Sequence, residues 1–199
     1  MEGKKYFTLN NKPDDKLKIA GFVELDIFEK GVLVDTFCKQ NIILRSGKAE
    51  VIESLTSGSN RILARMAIGD RGTLPSDMSV PKVPTSERTS LFSEIFRQDV
   101  DVISTTTIED TNEILLVSTF NAVDIPVTSY SDQVNPVINE VGLVMIDQIA
   151  GAPLPRPSVY APNTPDSDEA LFAMRTYKTV PFEAANETAV TVRYTIFIG

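Results

Sequence analysis

The chain has 199 residues, enough for one medium domain that buries a sizeable core without covalent staples. Hydrophobic residues at 42% and charged residues at 23% describe a folded globular protein and exclude wholesale disorder. With 19 basic against 27 acidic residues the net charge is -8, which opposes attraction to nucleic-acid phosphates or to an anionic membrane surface.

There is no histidine, so Ser-His-Asp and Cys-His catalysis, histidine metal sites and imidazole acid-base work are removed together. The single cysteine, Cys38, excludes an intrachain disulfide and reads as a small buried hydrophobe at the end of a strand. No apolar run reaches the length of a membrane helix, and MEGKKYFTLNNKPDDKLK at the start lacks the apolar core of a signal peptide. The expectation is a chain made and folded in a cytoplasm.

In chain order, residues 1–18 are a polar arm carrying Lys4, Lys5, Lys12, Lys16 and Lys18, with Tyr6, Phe7 and Leu9 available to bury against a neighbouring subunit. Residues 21–44 alternate at first, with Val23, Leu25 and Ile27 on one face and Glu24 and Asp26 on the other. The turn Glu29-Lys30-Gly31 then makes a hairpin. Residues 45–58 change to helical spacing through Ala49, Val51, Ile52 and Leu55, with Ser46 as cap and Gly58 as stop. RILARMAIG, residues 61–69, is again extended.

Residues 70–86 read as a proline-rich surface excursion, and SERTSLFSEIFRQDV as one short amphipathic turn through Leu91, Phe92 and Ile95. VDVISTTTI, NEILLVSTFNA, VINEVGLVMID, ALFAMRTYKTVPF and ETAVTVRYTIFI are then strands. The last of these alternates most cleanly, with Val190, Val192, Tyr194, Ile196 and Ile198 facing one way. Together these predict a mainly β protein: an antiparallel β-sandwich of jelly-roll or Greek-key kind, about eight strands, with one short helix near the N-terminus. The organisation is an arm over 1–18 and a single sandwich domain over 19–199. Residues 124–137 and 148–170 form loops too long for hairpin turns.

AIGDRGTLPSDMS, residues 67–79, looks at first like a ligand loop. It lacks the Gly-Lys-Ser/Thr of a phosphate loop, the third glycine of a dinucleotide loop and the alternating acids of a calcium loop, so it reads as a scaffold turn. Asp166, Asp168 and Glu169 form the densest acidic group and are of the type that supplies oxygen ligands to calcium, but surface loops rich in Asp and Ser are commonplace, and a solvated loop or a strand start is the preferred reading. Paired carboxylates suit glycoside hydrolysis, but with no tryptophan the usual platform for a sugar ring is absent. Glu140 lies inside an apolar strand, where a carboxylate is either wet by alternation or paired, with Arg97 and Arg175 as partners by type. No catalytic, cofactor, metal or small-molecule site is assigned.

Read in order, AIGDRGTLPSD, ERTSLFSEIFRQDV, INEVGLVMID and LFAMRTYKTVPFEAANETAVTVRYTIFIG resemble a pattern found in virion structural proteins of tailed bacteriophages. The resemblance covers residues 62–199 and rests on Gly69 and Gly72, then Leu91, Glu94 and Arg97, then Asn139, Glu140, Gly142 and Leu143, then Phe172 and Arg175. Such proteins occupy tail, neck, baseplate and fibre-attachment positions. The resemblance implies a non-enzymatic virion component without a cofactor, made in the host cytoplasm. Its implied partners are further copies of itself and other virion proteins, not nucleic acid or membrane. The alternative is a receptor- or carbohydrate-binding module, or a capsid decoration or fibre protein, using the two long loops.

Overall fold

The computed structural model describes residues 18–58, 60–108, 111–147 and 169–199. The expected hairpin is present: β1 (Ile19–Glu29) turns through Lys30 and Gly31, both at positive φ, into β2 (Val32–Gln40). Val23, Leu25 and Ile27 are buried while their neighbours are half-buried, as alternation requires of a sheet with one covered face. A two-residue strand, β3 (Ile42–Ile43), leads into α1 (Arg45–Ser57), which ends at Gly58 in the left-handed conformation.

After α1 come β4 (Arg61–Gly69), a small hairpin of β5 (Thr73–Leu74) and β6 (Asp77–Pro81), and β7 (Glu94–Asp99). Then follow β8 (Val102–Ile108), β9 (Thr111–Asn121), β10 (Val137–Asp147), β11 (Glu169–Pro181) and β12 (Ala189–Ile198). Ten strands form two antiparallel sheets, ordered β2-β1-β12-β9-β8 and β3-β11-β10-β4-β7. One core cluster joins the facing sides: Val23, Leu25, Leu116, Val190, Val192 and Ile196 meet Met66, Ile68, Val141, Leu143 and Tyr177. The Tyr194 hydroxyl crosses this core and donates to the Val141 carbonyl oxygen at 3.1 Å, so the tyrosine's one polar atom is satisfied while its ring is buried.

The second sheet is buried on both faces. Its outer face carries a smaller cluster of Leu44, Ala64, Ala67, Leu91, Val144, Ile146, Leu171 and Met174. Alternation of burial fails here because both faces are covered and because β4, β7 and β11 carry bulges. Leu143 pairs with Ala173 and Val144 with Leu171, so β11 has an extra residue at Phe172. This puts Leu171 and Met174, three apart, in the same outer cluster. On β7, Gly69 pairs with Glu94 and Ile68 with Phe96, which makes Ile95 the extra residue.

Several expectations change here. The segment expected to be one amphipathic turn is strand β7; its helix-like spacing of Leu91 and Ile95 arises from a loop residue and a bulge residue. The surface excursion contains the β5–β6 hairpin, whose strand β6 packs on β11. Cys38 is exposed because it lies on the solvent side of edge strand β2, opposite Glu24. Ser46 is not the cap of α1: Leu44 occupies that position without a side-chain bond, and the Ser46 hydroxyl donates to the Leu171 carbonyl at 2.9 Å.

Nor does α1 bury its aliphatic stripe, since Ile52 and Leu55 are exposed. The helix approaches through Gly47, where an added Cβ would lie 2.6 Å from the Phe172 Cα and carbonyl oxygen. The bare backbone sets that contact. Residues 1–17 of the arm and 148–168 of the second long loop, including Asp166 and Asp168, lie outside the described residues.

β12 lies between β1 and β9, and its inward residues from Val190 to Ile196 are buried. Truncating one of them, Ile196→Ala, is expected to cost about 2–5 kcal/mol through lost transfer energy and cavity formation. Thr195→Ala, on the opposite and half-buried face, is expected to change stability by less than about 1 kcal/mol. Urea unfolding of the two variants checks the assignment of faces; equal losses would contradict it.

Candidate functional site

Three of the four separated motifs of the sequence meet around one carboxylate. β10 presents Glu140 on the outer face of the second sheet, next to Gly69 at the end of β4. Glu140 has no solvent exposure. Its Oε2 accepts the Phe92 backbone N–H at 2.7 Å, and its Oε1 accepts those of Ser93 at 2.7 Å and Arg71 at 3.4 Å. Both oxygens face donors, which suits the ionised form, and neither is left open towards solvent. The partner expected from sequence, Arg97 or Arg175, is therefore replaced by main-chain amides, and the solvent-facing alternative is also ruled out.

Asn139 does the same for the other side of the loop. Its Oδ1 accepts the Gly72 N–H, and its Nδ2 donates to the Asp70 carbonyl and the Thr73 hydroxyl, both at 3.1 Å. Asp70 then holds the β9–β10 connection through the backbone N–H of Ser131 at 2.5 Å and its hydroxyl at 3.0 Å. Close approach explains the glycines. A Cβ on Gly69 would come within 2.3 Å of the Ser93 carbonyl and 2.5 Å of Glu140 Oε1, and one on Gly72 within 2.4 Å of the Asn139 carbonyl. Gly142 likewise leaves room for Leu171 and Leu91.

Phe92, whose amide is held inside, has its ring covered outside by Arg88 at 3.7 Å and Lys82 at 4.5 Å from the centroid. Gly69, Gly72, Leu91, Glu140 and Gly142 thus belong to one joint. Leu143 and Phe172 point instead into the core between the sheets. The Nε of Arg175 is buried and has no hydrogen-bond partner among the described residues.

Glu94 and Arg97 form a second constellation. The bulge at Ile95 places them on the same face, where Arg97 Nε and Nη2 donate to the two Glu94 oxygens at 2.6 and 2.8 Å. Arg97 and Arg65 both reach Glu169 at the start of β11, and Arg65 Nε also donates to Asp99 at 2.9 Å. Glu169 is therefore an ion-pair partner that ties β11 to β4 and β7. Among the described residues no group of three or more acids or cysteines is placed to hold a metal. Nor is any helix there long and apolar enough to cross a membrane.

Sequence reasoning missed the amides of Phe92 and Ser93, which have no side-chain signature. It also passed over Asp70 and Arg65 as site residues. The signal for Arg65 was present as a charge within the apolar run RILARMAIG. Comparison of the chain with protein-family models, with curated proteins and with solved structures finds no match.

Glu140→Gln keeps the shape but turns a donor towards at least one backbone N–H, leaving it unpaired. The expected loss is about 1–3 kcal/mol in urea unfolding, and an unchanged midpoint would contradict the amide contacts. Burial is the largest influence on this carboxyl and raises it above the ordinary glutamate range; the three amides pull against it and Asp70 adds to it. The folded state consequently holds the proton more tightly than the unfolded chain does. The stabilising effect of that proton is complete below the ordinary value of about 4.3. It fades as pH rises to the folded-state value and is flat above it. The stability of the wild type relative to Glu140→Gln should therefore decline over that window, and a difference that grows with pH would contradict the raised value.

Proposed function

We propose that this chain is a non-enzymatic structural component of a tailed-bacteriophage virion, assembling in several copies in the neck, tail or baseplate. One observation carries the reading. Six of the residues behind the resemblance, Gly69, Gly72, Leu91, Asn139, Glu140 and Gly142, converge on a buried joint in which the Glu140 oxygens, the Asn139 amide and the Asp70 carboxylate are all engaged by neighbouring backbone or side chains. Such a joint holds three loops in fixed relation to a sheet, which suits a particle part whose surface loops must keep their shape against neighbours. It does not present a polar group to a substrate.

We assign the sandwich to the jelly-roll or Greek-key class because successive strands repeatedly change sheets: β2 to β3, β7 to β8, β9 to β10 and β11 to β12. The alternative reading, a receptor- or carbohydrate-binding module or a decoration or fibre protein, is favoured by the β9–β10 connection. There Val123, Val127 and Val134 are exposed on a loop whose base is pinned at Ser131.

The deciding experiment is mass spectrometry of purified particles of the phage encoding the chain, followed by electron microscopy with a label fused to it. The structural reading expects the protein in intact particles, with label density at the neck, tail or baseplate. Absence from particles would overturn it. Label confined to fibre tips, with host binding lost on deleting residues 124–135, would favour the alternative.

A further inference from the structure

At its β8 edge the first sheet lacks the protection that β proteins ordinarily build there. β8 reads Val-Ile-Ser-Thr-Thr-Thr-Ile, with no charge, no proline and no glycine. Residues 102–107 are all exposed, so both faces of the strand are open, and among the described residues it pairs only with β9. An uncharged β-branched stretch with unpaired backbone donors and acceptors is a template for another strand. At the opposite edge, every residue of β2 is exposed or half-buried, and Val32, Leu33 and Val34 are exposed in succession.

Charge distinguishes the possible pairings. Acids flank β8: exposed Asp101 precedes it, and Glu113 stands opposite Thr106 on the neighbouring β9. β2 carries Lys39 towards one end, while Lys30 sits beside Glu29 in the turn at the other. Its one acid, Asp35, is met by Lys178 at 2.6 Å. Two β8 edges in antiparallel register would bring acidic flanks together in a molecule already at -8. β8 against β2 brings acids towards lysines and opposes no charges along the strand interior.

We propose that β8 of one copy adds to β2 of a second copy, head to tail, so that the first sheets of successive copies join into one continuous sheet. Each copy then offers one edge and receives the other. Such a heterologous contact builds a ring when the rotation closes and a filament when it does not. The inference rests on the reading of the chain as a multi-copy virion part and names its partner, a second copy of this chain.

Cys38, the only cysteine, provides the reporter, because it is exposed on the solvent side of β2. Thr106 lies on the same side of β8, since it is paired with Glu113 of the outward set on β9. Because every pairing in the sheet is antiparallel, β2 and β8 run in the same direction, so copies that join with their outward faces on one side pair these strands in parallel, and the register that sets Glu113 near Lys39 puts Thr106 opposite Cys38. Full-length Thr106→Cys protein would be treated with oxidised glutathione and run on non-reducing gels. A ladder of covalent multimers is expected, with peptide mass spectra joining Cys38 to position 106. The ladder should vanish in a Cys38→Ser background.

Adding Thr105→Lys places a charge in the middle of the exposed strand. It should abolish the ladder while leaving the melting temperature of the reduced protein unchanged. The absence of a ladder from Thr106→Cys, dimers joining position 106 only to itself, or a ladder that survives Thr105→Lys would overturn the pairing. The virion reading fails separately: a ladder in purified protein that is missing from particles sinks that reading alone, whereas particle incorporation without a ladder sinks the pairing alone.

Discussion

An ionised carboxylate with no solvent contact is among the most expensive groups to place in a protein interior, and it persists only where donors meet its charge. The Glu140 carboxyl has no solvent exposure, and its donors come from the backbone of two segments far away in sequence, around Arg71 and Phe92. The constraint therefore acts outwards. Because the acceptor is fixed on β10, the Gly69–Gly72 turn and the Leu91–Ser93 turn must both approach within hydrogen-bond distance, and glycine at 69 and 72 is what permits the approach. The same turns deliver Asp70 to Ser131 and Leu91 to the outer core. One carboxyl thus organises three loops at one end of the sandwich.

Tyr130, beside Ser131, shows how dry this end is. Its ring is buried, and burial, with Asp70 second, holds its hydroxyl well above the usual phenol range, so it stays protonated throughout the working pH of proteins. Beyond the joint, the Arg65, Arg97, Glu94 and Glu169 cluster continues the same face with side-chain ion pairs. Removing Arg97 would take from the buried Glu94 its ion-pair partner among the described residues, the circumstance in which such clusters matter most to stability.

What could be read in the sequence divides along the two sheets. The first sheet has one covered face, so β1 and β12 alternate and their inward residues were identified correctly from Val23 to Ile27 and from Val190 to Ile196. The second sheet is covered on both sides and carries bulges at Ile95, Phe172 and elsewhere, so its period of two is broken just where the motifs lie. Glu94 and Arg97, three apart, share a face only because of a bulge, and strand β7 was consequently mistaken for a helical turn. The importance of Glu140 was legible as a charge inside VINEVGLVMID, but its partners were not, because a backbone N–H is the same in every residue but proline. The exposure of Cys38 depended on knowing that β2 is an edge, a property of strand order and not of local pattern.

Hydrogen exchange at the amides of Phe92 and Ser93 tests the central claim most directly. Both residues lie outside any strand, in a segment that would ordinarily exchange within the time of a loop opening. If Glu140 holds them, their amides are protected to nearly the same degree as those of Val141 and Leu143 in β10 and exchange only with global unfolding. Exchange at the rate of the neighbouring exposed residues Thr89 and Ser90 would show that the carboxylate does not bind the loop, and the account built on it would fail.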